Sequence, residues 1–171
     1  MSQAARKEAA PASLILPDLL ATCRAALDAA DRFKEAARAG VSALVVRGSK
    51  VDAAALEREQ FAAHGFAWLS TYVEGLRQLL GWAERLSESG ALGERETLIL
   101  QSGFGEYLHQ LQGGTATPQV EIVRPADLNI AEDAAHALYI PAVRTLTDRG
   151  NTNAVRMRLA TRAEASFARA P

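Results

Sequence analysis

The chain has 171 residues, of which 49% are hydrophobic, and a net charge of −1 at pH 7. That length can bury one sizeable core and is typical of one domain. Nucleic acids and anionic membranes require a basic surface, so a chain with a pI near 6.3 is expected to bind neither. One cysteine cannot form an internal disulfide, and neither a signal peptide nor an apolar run of about 20 residues is present. We therefore expect a soluble cytoplasmic protein.

The first part of the chain predicts a flexible N-terminus over residues 1–16, followed by one long helix. Pro17 suits a first helical position, because its missing N–H would be unpaired there anyway. The helix is indicated by an apolar residue at every third or fourth position from Leu20 to Leu44. Cys23 lies on this stripe and is interpreted as a small buried hydrophobe, since a nucleophile would need a basic neighbour that lowers its pKa. Gly40 is interpreted as a bend.

A second helix is predicted over residues 52–90, with Asp52 as its N-cap and Gly90 at its end. It carries two neighbouring apolar stripes that together span about 200°, against about 100° for an ordinary surface helix. We therefore expect it to touch at least two neighbours and to be the central helix of a bundle. Gly65 and Gly75 fall inside the arc and predict a close approach of neighbouring backbone. The stripes are Phe66, Leu69, Val73, Leu76, Leu80 and Ala83, and Phe61, Trp68, Tyr72, Leu79, Trp82 and Leu86.

A third helix is predicted from about Glu94 to Gly113. Residues 115–129, TATPQVEIVRPADLN, are rich in proline and β-branched residues and predict an extended crossover. Loops of that length are often functional, so this loop is where a ligand or partner would be sought first, the alternative being a simple structural strap. Asn129 is predicted to cap a fourth helix, which Pro141 kinks or splits. A fifth helix is predicted to start at Asn151.

These elements predict an all-α fold, an antiparallel bundle of four to five helices with one long crossover loop. The bundle core is assigned to residues 17–149. Residues 150–171 are assigned to a C-terminal helix or to a linker that leads to a partner domain.

No motif in the sequence predicts catalysis, a bound cofactor or a metal ion in this chain. The histidines lie on three different predicted helices, without the spacing that places two ligands on one helical face. Gly103 and Gly105 are in mid-helix and favour close helix packing over a phosphate loop. The aromatic residues Trp68, Tyr72 and Trp82 are interpreted as core residues. The histidines are His64, His109 and His136.

Three runs of residues carry a resemblance to a known family. They are LEREQFAAHGFAWLSTYVEGLRQLLGWAERL at 56–86, LILQSGFGEYLHQLQGG at 98–114 and EIVRPADL at 121–128. They resemble the N-terminal helical extension of the (2S)-methylsuccinyl-CoA dehydrogenases, which belong to the flavin-dependent acyl-CoA dehydrogenase superfamily. Residues 115–120 depart from the family pattern.

The resemblance implies a separate dehydrogenase body that carries FAD, with no cofactor in this chain. In that body a carboxylate removes an α-proton and the β-carbon gives a hydride to FAD, which desaturates a branched dicarboxylyl-CoA. None of the family's catalytic residues can be carried over to this chain, which by itself is expected to be inactive. The chain is then either a fragment of the enzyme or a subunit that docks on an acyl-CoA dehydrogenase, as part of a homo- or hetero-oligomer.

Two other functions are compatible with the sequence. One is a free-standing helical interaction protein that homodimerises through the surplus apolar arc of the second helix. The other is a bundle enzyme with carboxylate or histidine ligands, which the ligand spacings disfavour. For a partner, the contacts are predicted on the arginine-rich C-terminal end and the crossover loop, since arginine is enriched in interfaces. The alternatives are a solvated helix face or a grip on the CoA phosphates. These residues are Arg124, Arg144, Arg156, Arg158 and Arg162.

Overall fold

The computed structural model describes residues 13–117 and 121–167. Helices dominate that part of the chain, and the predicted all-α bundle is confirmed. The α-helices are α1 (Leu19–Val45), α2 (Ala53–Arg58), α3 (Gln60–Glu88), α4 (Glu94–Gly113), α5 (Glu132–Ala135), α6 (Pro141–Arg149) and α7 (Asn153–Phe167). The strands are β1 (Val46–Arg47), β2 (Lys50–Val51), β3 (Thr115–Ala116) and β4 (Ile122–Val123). Two antiparallel hairpins result, β1 with β2 and β3 with β4.

Helix α1 runs through the middle of the bundle and packs against α3, α4 and α6. Its buried face is rich in alanine, and small side chains let neighbouring helices approach closely. A close approach of neighbouring backbone also explains why residue 40 is a glycine. A methyl group there would clash with the backbone oxygens of Leu128 and Asn129, and the Asn129 amide donates a 3.2 Å hydrogen bond to the Gly40 oxygen. Helix α1 continues through Gly40, which is a contact point for the crossover, and a bend at this residue stays a prediction.

The predicted second helix is two helices. The Asp52 carboxylate accepts a 3.0 Å hydrogen bond from the Ala55 N–H, which confirms the predicted cap. Helix α2 then ends after one and a half turns, because Glu59 leaves the helical conformation with φ −105° and ψ 27°. Helix α3 begins at the next residue and continues to Glu88.

Helix α3 lies against α1 and α4 at the side of the bundle, so the prediction that it is the central helix is wrong. Its first apolar stripe is buried, except for half-buried Phe66. The second stripe remains half-buried, and Phe61 is 41% exposed. Two neighbouring helices cover only part of a 200° arc, which is the physical reason for the difference. Trp68, Tyr72 and Trp82, interpreted as core residues, are thus at the edge of the core.

Helix α4 is enclosed by α1, α3, α6 and α7. Its buried side includes Leu100, Phe104, Leu108 and Leu111. Glycines let the neighbours approach: a methyl group on Gly103 would lie 2.6 Å from Leu79 Cδ2, and one on Gly105 would lie 2.7 Å from the Leu146 oxygen. The predicted close helix packing at this pair is confirmed.

Gln101 on α4 holds the start of the described chain against the bundle. Its side chain is fully buried, accepts a 3.2 Å hydrogen bond from the Leu16 N–H and donates a 2.9 Å bond to the Leu14 oxygen. Leu16 is itself buried. The rest of the predicted flexible N-terminus, residues 1–12, lies outside the described residues.

The crossover between α4 and α6 is more structured than a plain strap. It contains the β3–β4 hairpin, in which Thr115 pairs with Val123, and a 3₁₀ turn at Pro125–Leu128. Asn129 follows with φ 52°, and its amide reaches Gly40. The predicted helix cap at Asn129 is therefore wrong, and α5 begins after Ala131. Residues 118–120 lie outside the described part.

The predicted break at Pro141 is confirmed, because α6 begins at this proline after the short turns at 132–138. The start of α7 differs by two residues from the prediction. Thr152 accepts a 3.3 Å hydrogen bond from the Val155 N–H, and Asn151 instead donates to Glu106 at 2.8 Å. None of the helices in the described ranges has the length and hydropathy of a bilayer-crossing segment.

Candidate partner-binding surface

One side of α3 carries no charged residue over residues 60–73, which is about 20 Å of helix at 1.5 Å per residue. Phe61, His64, Ala67 and Thr71 are exposed there, and Trp68 and Tyr72 are half-buried. We call this surface, together with the adjoining Tyr107 of α4, the aromatic face. Exposed helix surfaces are normally charged, so a long uncharged surface with aromatic residues is unusual for solvent-facing helix.

The aromatic side chains of this face hold one another in place. Trp68 Nε1 donates a 3.0 Å hydrogen bond to His64 Nε2, one helical turn away. The Tyr72 and Tyr107 rings meet edge to face with centroids 4.7 Å apart, and the Trp68 ring lies 6.5 Å from the Tyr72 ring. The Tyr72 hydroxyl donates a hydrogen bond to the Ala116 oxygen at 3.4 Å, and burial raises the pKa of this phenol. The face is thus ordered before any partner arrives.

Two concave regions belong to this surface. A cavity of about 500 Å³ lies at its N-terminal end, between the start of α3 and the crossover, and is lined by Leu56, Phe61, His64 and Glu121 among others. A groove of about 220 Å³ lies between Trp68, Tyr72 and Tyr107, with Gly75 as its floor. Apolar pockets that can receive a side chain are typical of the places where interface anchors bind.

A second cavity, of about 490 Å³, lies between the end of α4 and α6. It is lined by Leu138, Tyr139, Ile140 and Arg144 among others, and Tyr139 is 67% exposed. The only cation among its lining residues is Arg144, which pairs with Asp148 at 3.4 Å. This cavity therefore offers no free positive charge for a phosphate.

Two of the five arginines predicted to contact a partner form ion pairs within this chain. Arg158 donates to the Glu94 carboxylate at 2.6 and 3.1 Å, and Arg162 pairs with the same carboxylate. Glu94 is in the first turn of α4, where negative charge is favourable for the helix dipole. Together these pairs fasten α7 to the start of α4.

The other three predicted contacts lie in two places. Arg124 follows β4, and its backbone N–H donates to Asp127 at 2.7 Å. Arg156 donates to the Asn151 oxygen at 3.0 Å, and the Arg144 side chain is 84% exposed. The structure therefore does not gather the five residues into one patch. Arg124 is in the crossover, and the other four are on α6 and α7.

Neither chemistry nor metal binding is indicated by the remaining titratable residues. Cys23 is fully buried, and burial raises the pKa of its thiol, so it is a poor nucleophile and behaves as the predicted small hydrophobe. Within the described ranges, no three histidine, cysteine or acidic side chains come together as metal ligands would. His64, His109 and His136 lie on α3, on α4 and in a 3₁₀ turn, as separate residues.

The side chains that line the two larger cavities do not fit a flavin dinucleotide. Its two phosphates need convergent cations or N–H donors, and its ring system needs an enclosed apolar slot. The cavity beside Phe61 is lined by the anionic Glu121 and by no lysine or arginine. In the second cavity, Arg144 already neutralises Asp148.

Sequence inspection missed the aromatic face as a surface, because it assigned Phe61, Trp68 and Tyr72 to an apolar stripe that was expected to contact neighbouring helices. One signal was available. The absence of aspartate, glutamate, lysine and arginine over residues 60–73 distinguishes this part of α3 from its charged second half, where Glu74, Arg77, Glu84 and Arg85 follow.

Comparison with known proteins supports the resemblance inferred from the sequence. The chain is 46% identical, over 145 residues, to (2S)-methylsuccinyl-CoA dehydrogenase of Cereibacter sphaeroides. The match covers 85% of this chain but spans only about a quarter, 26%, of that relative. No family model matches the chain. The resemblance to methylsuccinyl-CoA dehydrogenase is thereby confirmed for most of the helical bundle.

Proposed function

We propose that this chain is a non-catalytic helical module of, or a subunit docking on, an acyl-CoA dehydrogenase similar to methylsuccinyl-CoA dehydrogenase. The observation that carries the proposal is the 46% identity to a quarter of such an enzyme, over most of this bundle. Identity at that level over 145 residues supports a common fold and a common structural use. The enzyme's remaining three quarters are the natural partner.

The module's role is assembly or support of the active site. Its core is apolar, its cysteine is buried, and the cavities described above do not suit a flavin. In the assembled enzyme FAD would be held by the dehydrogenase body, where it would accept a hydride from the β-carbon of a branched dicarboxylyl-CoA. The residues of this chain would contribute a rigid surface against which that body is ordered. The assembly is expected in the cytoplasm, without nucleic acid or membrane.

Three of the arginines, Arg124, Arg144 and Arg156, are proposed as polar contacts at the rim of the interface with the partner. Rim charges mainly affect association rate and salt dependence. Arg158 and Arg162 contribute indirectly, because their pairing with Glu94 holds α7 in position. Contact of any of them with the CoA phosphates is a lesser alternative.

A segment exchange tests the proposal. The matched segment of the C. sphaeroides enzyme is replaced by this chain, and the chimera is assayed for desaturation of (2S)-methylsuccinyl-CoA with an artificial electron acceptor. We expect a folded, flavin-containing and active chimera. An inactive or flavin-free chimera, beside an active parent enzyme, would contradict a shared structural role.

The isolated chain is the matched control. We expect it to fold as a helical bundle, to show no flavin absorbance and to give no turnover above a buffer blank. Turnover by the purified chain alone would show that it is itself an enzyme and would overturn the non-catalytic assignment.

A further inference from the structure

We propose that the aromatic face, rather than the arginine-rich end, is the main docking surface, and that its occupant is the dehydrogenase body. This inference rests on the proposed function and names the surface that serves it.

The first argument is the distribution of charge. Charged residues make up 23% of the chain, yet none occurs over residues 60–73, although Phe61, His64, Ala67 and Thr71 are exposed there. Interface cores are depleted of charged residues and enriched in aromatic ones, whereas a solvated helix face carries charges. The aromatic face has the composition of an interface core.

The second argument is preorganisation. The hydrogen bond from Trp68 to His64 and the edge-to-face contact of Tyr72 with Tyr107 fix four side chains. Ordering free side chains on binding costs conformational entropy, so a surface that is already ordered binds with a smaller loss of entropy. The groove beside Gly75 and the cavity beside Phe61 supply recesses for protruding side chains of the partner.

The third argument concerns the occupant. The relative continues for about three quarters of its length beyond the matched segment, so the same bundle there has a covalently attached neighbour about three times its size. An uncharged surface with aromatic side chains has the composition of an interface core, and attachment to such a neighbour explains it. A second copy of this chain would need a self-complementary patch, and it is the competing outcome of the test.

The arginine-rich end is less suited to be the interface core. Arg158 and Arg162 are committed to Glu94, and Arg144 to Asp148, so a partner's carboxylates would have to displace existing ion pairs. Exposed ion pairs of this type are weak, so new pairs with a partner at this end would add little to the affinity. Arg158 and Arg162 therefore hold the chain's own C-terminal helix, and Arg144 acts at most at the rim of the interface.

The test introduces charge on the aromatic face without disturbing the bundle. Ala67→Glu and Thr71→Glu are combined, because both positions are exposed on α3. The control combines Ala25→Glu and Ala39→Glu at exposed positions on the charged side of α1, beside Arg24 and Arg38. Each pair is made in the isolated chain and in the chimera with the C. sphaeroides enzyme. Thermal midpoints, turnover and hydroxyl-radical labelling of Trp68 and Tyr72 are measured.

We expect both pairs to leave the midpoint of the isolated chain unchanged. In the chimera, the Ala67–Thr71 pair is expected to lower turnover at least about tenfold, since unpaired charge buried at an interface weakens docking. The control pair is expected to have no effect. Trp68 and Tyr72 are expected to be labelled less in the unmutated chimera than in the isolated chain.

The outcomes separate the two proposals. An active chimera that tolerates the Ala67–Thr71 pair, with Trp68 and Tyr72 labelled as in the isolated chain, overturns the docking inference and leaves the proposed function standing. An inactive unmutated chimera overturns the proposed function and the inference with it. If the isolated chain is a dimer that the Ala67–Thr71 pair converts to a monomer, the occupant is a second copy and the inference is wrong.

Discussion

Arg77 on α3 donates two hydrogen bonds, of 2.5 and 2.7 Å, to the Asp31 carboxylate on α1. Lys34 approaches the same carboxylate at 3.0 Å, so two cations share one anion across the helix pair. This polar link joins the two longest described helices, which a second ion pair, Arg24 with Glu84, also connects.

The link predicts a pH-dependent stability. Burial raises the pKa of Asp31, but hydrogen bonds from Arg77 and Lys34 outweigh it and hold the pKa below its usual value. A lowered pKa stabilises the fold above the pKa of the unfolded chain, about 3.9, and this contribution is lost as pH falls through the folded pKa. Because the groups are partly exposed, we expect Asp31→Asn to cost about 1 kcal/mol at pH 7.

Urea denaturation at pH 7 and near pH 2.5 measures this effect. The gap between the parent chain and Asp31→Asn should be present at pH 7 and shrink at the lower pH. Glu35→Gln is the control, since Glu35 pairs with Arg38 within the same helix. Equal stability of the parent and Asp31→Asn at pH 7 would show that the link does not stabilise the helix pair.

Alanine substitutions at two glycines of α4, Gly105 and Gly113, are expected to have opposite effects on stability. A methyl group there would lie 2.7 Å from the Leu146 oxygen and 3.1 Å from the Asn151 nitrogen, both backbone atoms that cannot rotate away. We expect Gly105→Ala to destabilise the chain by about 1–3 kcal/mol. Gly113→Ala in the same helix meets no neighbour within 4 Å and is expected to be neutral or stabilising, by up to about 1 kcal/mol. Equal effects of the two substitutions on the unfolding midpoint would refute close packing at Gly105.

The sequence predicted the class of fold and the buried stripes well, because periodicity reports which side of a helix faces the core. Leu69, Val73 and Leu76 on α3 are buried as expected. The prediction failed for side chains whose burial depends on how many helices pack around α3. Trp68 and Trp82 satisfy the same helical pattern, yet only packing against α1 and α4 decides that they remain half-buried.

Predictions from local sequence also failed for residues whose role is set by a contact with a distant part of the chain. Asn129 has the sequence context of a helix cap, but its side chain bonds to the Gly40 oxygen, 89 positions away along the chain. The arginine-rich C-terminal end resembled a partner surface because the sequence does not reveal that Glu94 is its neighbour. The surface that we propose instead was visible only as a lack of charge.

Two aromatic substitutions test the distinction between the core and its edge. Phe104 is fully buried on α4, and Phe104→Ala is expected to cost about 3–5 kcal/mol. Trp82 is half-buried against the core, so Trp82→Ala should cost less, about 1–3 kcal/mol. Chemical denaturation of both variants gives the comparison. A larger loss for Trp82→Ala would place that side chain in the core and reinstate α3 as a central helix.

Removing the charge of Glu94 should loosen α7 selectively. Glu94→Gln weakens the pairs with Arg158 and Arg162, and we expect a small loss of global stability, below about 1 kcal/mol. Hydrogen exchange in α7 should nevertheless become faster, because α7 packs mainly on α4. Asp148→Asn, which removes an ion pair within α6, is the control. Unchanged exchange in α7 would mean that Val155 and the apolar contacts hold this helix alone.

The central claim is that this bundle works as part of an acyl-CoA dehydrogenase. Immunoprecipitation from the source extract, with an antibody against this chain and mass spectrometry of the eluate, tests it most directly. We expect peptides of an acyl-CoA dehydrogenase in stoichiometric amount, either in one longer polypeptide with this sequence or in a separate band. Recovery of this chain with no dehydrogenase peptides, at the mass of a homodimer, would contradict the account and favour a free-standing interaction protein.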